Sequence, residues 1–100
     1  MAASYTFSAA LWEWESKASW YFVSLPDDDA DDIDERFGGT AGGFDSIRVE
    51  VTIGDSTWRT SLFPSTSAKT YVLPIKKAVR KAEDLAGGTV ADVHLIIVRD

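Results

Sequence analysis

Cysteine is absent from this chain of 100 residues, and histidine occurs once, as His94. The first absence excludes a disulfide framework and thiol chemistry. Together they leave no ligand set with zinc spacing. Proline is scarce, and Pro26, Pro64 and Pro74 each close an apolar, strand-like run. No apolar run approaches the ~18 residues that would span a bilayer. The opening residues Met-Ala-Ala-Ser-Tyr-Thr-Phe lack a basic region followed by an apolar stretch, so no signal peptide is expected. The expectation is a cytoplasmic protein with no membrane contact.

Acidic residues are plentiful. The formal charge is −6 and the pI is near 4.6. That balance opposes non-specific binding to nucleic acid or an anionic membrane. Apolar residues make up 45% of the chain, with four Trp, five Phe and three Tyr. One hundred residues support a single core, so residues 1–100 read as one domain.

Tyr5, Phe7, Ala9 and Leu11 alternate with smaller or polar neighbours, which is strand periodicity. Residues 15–18 suit a hairpin turn, and residues 19–25 form a second strand. Pro26 and Asp27, Asp28 and Asp29 suit a helix start, where the backbone dipole favours negative charge. Ala30, Ile33 and Phe37 recur at helical spacing. Residues 38–43 read as a loose connection. Ile47, Val49, Val51 and Ile53 make the clearest strand, and Gly54-Asp55 turns it into residues 57–63. Pro64 is expected to stop that strand. After a loop at 65–68, residues 69–73 form a short strand. Pro74 is expected to open a second helix with Ile75, Ala78, Val79 and Ala82 inward. Val90 to Val98 closes the chain; its run Ile96-Ile97-Val98 predicts burial on both faces. The fold class is mostly β with two helices.

One phrase occurs twice. Residues 20–26 read Trp-Tyr-Phe-Val-Ser-Leu-Pro and residues 70–74 read Thr-Tyr-Val-Leu-Pro. Each leads into a helix, so the chain reads as a pseudo-twofold repeat of strand, Leu-Pro and helix. From the second copy onward, residues 71–90 resemble the core phrase of AbrB-type and MazE-type swapped-hairpin domains. The whole chain more closely resembles a bacterial and archaeal family of unknown function. The shared motifs here are residues 20–26, 58–64 (Trp-Arg-Thr-Ser-Leu-Phe-Pro) and 73–80 (Leu-Pro-Ile-Lys-Lys-Ala-Val-Arg). The resemblance implies a double-split β-barrel with both halves in one chain. Close relatives carry an acid after the glycine that follows the helix, whereas this chain has Gly88-Thr89, so a different turn is expected there.

The acidic run from Asp27 to Glu35 fails as a calcium loop, because its sixth and twelfth positions are Asp32 and Gly38. It reads as a solvated helix start. Lys76, Lys77, Arg80 and Lys81 form a basic cluster suited to an anion or to a salt-bridged surface. Trp58, Arg59 and Ser61 offer an indole, a guanidinium and a hydroxyl. The candidate ligand-binding residues are therefore Trp58, Arg59, Ser61, Lys76 and Arg80. Trp12, Trp14, Trp20 and Tyr21 are expected to serve mainly as cover beneath a helix, with a ligand or protein site as the second reading.

No catalytic set is expected. His94 lies mid-strand with no nucleophile and acid spaced around it, and a Ser61–Lys76 pair has no further support. The expectation is a non-catalytic binding module without cofactor or metal. It would bind an anionic small molecule or a protein at the basic helix, as a monomer or weak homodimer. An AbrB-like nucleic-acid-binding regulator is the alternative, which the net charge disfavours. A small hydrolase or transferase using Ser61 and Lys76 ranks last.

Overall fold

The computed structural model describes residues 3–14, 20–37, 46–65 and 70–98. The elements are β1 (Ser4–Ala10), β2 (Trp12–Glu13), β3 (Tyr21–Ser24), α1 (Asp27–Phe37), β4 (Ile47–Ile53), β5 (Ser56–Ser65), β6 (Thr70–Pro74), α2 (Lys77–Ala82) and β7 (Val90–Ile97). Among the described residues, seven strands form one antiparallel sheet in the order β1-β7-β4-β5-β6-β3-β2. The turn expected at 15–18, the connection at 38–43 and residues 66–69 lie outside the described residues.

The outermost strands, β1 and β2, are consecutive in the chain and separated only by Leu11. Leu11 is buried at this bend. Its N–H donates to the Thr89 carbonyl at 2.9 Å, and its carbonyl accepts from the Gly88 N–H at 2.8 Å. The Thr89 hydroxyl accepts from the Ala86 N–H at 3.1 Å, closing the turn at Gly88-Thr89. The sheet therefore curls until its two ends meet in one bent segment, with β1 packed near β3.

The concave side holds the core. Alternation along β4 puts Val49, Val51 and Ile53 inside, and β7 adds Val93, Leu95 and Ile97. Ala30 and Ile33 of α1 close over it, as does Val79 of α2.

Four expectations are corrected. Strand β5 runs through Pro64 to Ser65, with Pro64 opposite Tyr71. Beyond Leu62 it has left its β4 partner and is paired with β6 alone, and such an edge tolerates a missing N–H. Pro74 ends β6 instead of opening α2, which starts at Lys77. In α2 only Val79 is buried; Ala78 and Ala82 are exposed, and Ile75 packs inward from extended chain ahead of the helix. Strand β7 alternates, with His94 and Ile96 only half-buried, so it is covered on one face alone.

The two strand–helix units bond reciprocally. The Leu25 N–H donates to the Tyr71 carbonyl at 3.0 Å, and the Ile75 N–H donates to the Tyr21 carbonyl at 2.9 Å. The helices open in step, with Ala30 N–H donating to the Pro26 carbonyl and Arg80 N–H to the Lys76 carbonyl. Tyr21 thus corresponds to Tyr71, Leu25 to Ile75, and Ala30 to Arg80. The repeated Leu-Pro is two residues out of step with this pairing. Because β3 and β6 are antiparallel, α1 and α2 leave from opposite ends of the pair.

Candidate functional site

The convex side of the sheet has two characters. Across β1, β7, β4 and β5 it is polar and laddered by cross-strand pairs. His94 Nδ1 and the Thr6 hydroxyl lie 2.9 Å apart, the Ser8 hydroxyl donates to Asp92 at 2.6 Å, and Thr52 and Thr57 hydroxyls lie 3.0 Å apart. Such pairs are ordinary stabilising contacts of a solvated face.

Across β2, β3 and β6 the convex side is aromatic. The register pairs Trp12 with Phe22 and Phe22 with Pro74, so these side chains share one face. Ring centroids lie 5.1 Å apart for Trp12–Phe22, 6.2 Å for Trp14–Trp20 and Trp14–Phe22, and 6.4 Å for Trp20–Phe22. The same face continues through Val72 to Phe63, its partner on β5. Phe22 and Val72 are buried but stand outside the main core cluster. Trp14, Trp20 and Phe63 remain 43%, 48% and 45% exposed. The Trp12 indole N–H donates to the Ser24 hydroxyl at 2.9 Å, which fixes one ring of the cluster.

The expected helix cover applies to Tyr21 alone. Tyr21 has the opposite parity to Phe22 and faces α2, where the Arg80 guanidinium carbon sits 4.2 Å from its ring centroid. The Arg80 Nε–H donates to the Ile75 carbonyl at 3.2 Å. Arg80 is half-buried in this position, while Lys76, Lys77 and Lys81 are exposed. Lys76 is extended backbone, two residues beyond Pro74, with Ile75 turned into the core between them. The basic start of α2 thus borders the aromatic face.

The other sequence candidates are dispersed. Trp58 lies on the concave side of β5 opposite Val51, half-buried against the core. Arg59 and Ser61 lie on the convex side, in the polar ladder. Arg59 Nε is 3.5 Å from Glu50 Oε1, its cross-strand partner, and Ser61 stands opposite Arg48. Indole and guanidinium therefore point to opposite sides of the sheet.

Two tyrosines tie the acidic helix to the sheet, a feature the acidic run did not advertise. The Tyr5 hydroxyl donates to Asp32 Oδ2 at 2.5 Å, and Arg36 Nη1 reaches both groups at 3.4 Å. That bond from Tyr5, aided by Arg36, holds the Asp32 carboxyl below its ordinary range. Burial, then the Asp32 bond, pushes the Tyr5 hydroxyl up. The Tyr71 hydroxyl donates to Asp34 Oδ1 at 3.0 Å. Burial, reinforced by Asp34, pushes Tyr71 up to about 12. Beside this second tether is a cleft of about 210 Å³, where Ala30, Asp31 and Asp34 of α1 face Ser65, Thr70 and Tyr71. Among the described residues no cluster of His, Asp and Glu could hold a metal ion, and no helix is long and apolar enough to cross a membrane.

The chain matches the family model described as Domain of unknown function (DUF1905) over residues 7–95 and therefore belongs to that family. No curated protein matches it.

Proposed function

We propose that this member of the DUF1905 family is a non-catalytic protein-interaction module. Its contact surface is the convex aromatic face of β2, β3 and β6, and its partner is an acidic, apolar segment of another protein. The carrying observation is the cluster of Trp12, Trp14, Trp20 and Phe22, which lies outside the core with two indoles nearly half exposed. Contiguous apolar surface of this kind marks interaction sites, and tryptophan is prominent among residues that dominate binding energy. Charge selects the partner. The chain is acidic overall, but the border at Lys76 and Lys77 is basic, and the seven acids of α1 start from the other end of the β3–β6 pair. An acidic segment gains from that border.

The reciprocal bonds about Tyr21 and Tyr71 support a double-split β-barrel, in which α1 has a structural role and the basic start of α2 faces the partner beside the aromatic strands.

An array of acidic 12-residue peptides containing Leu, Phe or Trp tests the reading. Captured peptides should be released by the paired substitution Trp14→Ala and Trp20→Ala. Retention of the same peptides by that variant would remove the aromatic face as the site. Duplex-DNA binding that falls steeply with salt would instead favour the AbrB-like regulator reading.

A further inference from the structure

We infer that the cleft between α1 and the ends of β5 and β6 binds a guanidinium group, carried by a partner's arginine side chain or by a small arginine-like molecule. This site is independent of the aromatic face and uses the opposite end of the β3–β6 pair.

The chain itself supplies the template. Ala30 and Arg80 open their helices with equivalent hydrogen bonds, and Tyr71 and Tyr21 are equivalent acceptors. In the second half the Arg80 guanidinium lies on the Tyr21 ring and donates to the Ile75 carbonyl. In the first half the matching helix residue is Ala30, which has no side chain beyond Cβ. Ala30 and Tyr71 line the cleft of about 210 Å³, in the place where the other half holds a guanidinium.

The lining suits that group. Asp31 and Asp34 supply carboxylates, and a guanidinium bonds carboxylate oxygens with a planar fork that an ammonium lacks. The Tyr71 hydroxyl occupies Asp34 Oδ1 and leaves Oδ2 as an acceptor. The Tyr71 ring offers the same kind of surface that Tyr21 gives Arg80. The volume falls below the ~300–1,000 Å³ of drug-sized pockets, which favours one side chain or a small cation.

Titration of the full ¹⁵N-labelled chain with Nα-acetyl-arginine amide, with Gly-Arg-Gly, and with the lysine counterpart of each tests the inference. Saturable shifts should appear at the amides of Ala30, Asp31 and Tyr71, with lysine about tenfold weaker. Ala30→Arg should abolish binding by filling the cleft from within, and Asp31→Asn should weaken it about tenfold. Asp31→Asn decides the matter if the Ala30 variant does not fold. Tighter binding of the tripeptide assigns the site to a partner's side chain; equal binding assigns it to a small molecule. Absence of saturable shifts, equal affinity for arginine and lysine, or unchanged binding by a folded variant would overturn the inference.

Discussion

Tyr21 and Tyr71 are each other's counterparts across the β3–β6 pair, and each engages the helix that follows the other's strand. The Tyr21 carbonyl accepts from Ile75 and its ring carries Arg80 of α2, whereas the Tyr71 carbonyl accepts from Leu25 and its hydroxyl binds Asp34 of α1. One arrangement has thus been adapted to helices of opposite charge. A basic helix uses the face of its tyrosine, and an acidic helix uses the hydroxyl.

Tyr71 makes alkaline stability informative. Its hydroxyl is raised from 10.0 to about 12 in the folded chain, so the unfolded chain loses this proton first. Stability should hold below pH 10 and fall as the pH rises from 10 to about 12. Urea unfolding across that range should show the loss, and Tyr71→Phe should flatten its slope.

Asp32 works in the opposite direction. Its folded carboxyl titrates below 3.8 because Tyr5 donates to it. The stability it contributes is present above that value and is lost as the pH falls through the lower folded value. In Tyr5→Phe, side-chain carboxyl NMR should show the Asp32 titration moving up toward 3.8.

Much of this was readable in advance. The alternation of β4 and the start of α1 after Pro26 follow from side-chain spacing and proline geometry. The repeat was visible, but its punctuation misled. Leu25-Pro26 ends at a helix start, while Leu73-Pro74 is still within a strand, because register follows hydrogen bonding between the tyrosine-led strands. The Tyr5–Asp32 and Tyr71–Asp34 bonds were hidden, since an acidic helix looks solvated until the sheet brings distant hydroxyls to it. The proposed site residues Arg59 and Ser61 share a strand face in sequence, but only the fold shows that face to be a polar ladder.

Gly54 is a tightly constrained position. It adopts φ +58°, and a Cβ there would collide with the Glu83 carboxylate that accepts from the Ser56 hydroxyl at 2.7 Å. Gly54→Ala should destabilise the fold by about 1–2 kcal/mol through backbone strain and loss of the α2 anchor. Chemical denaturation measures it.

Arg80→Ala should remove the cation on Tyr21 and cost about 0.5–2 kcal/mol. Arg80→Lys should recover only part, because an ammonium is a compact point charge where a planar guanidinium now lies. Thermal unfolding of the two variants separates packing from charge.

The exposed indoles are the proposed partner-binding groups. Calorimetric titration of the chain with a captured acidic peptide tests this role directly, comparing wild type with the Trp14→Ala and Trp20→Ala double variant. Affinity should fall at least tenfold, about 1.4 kcal/mol or more, while the variant's unfolding stays cooperative. Equal affinity in the two folded proteins would contradict it.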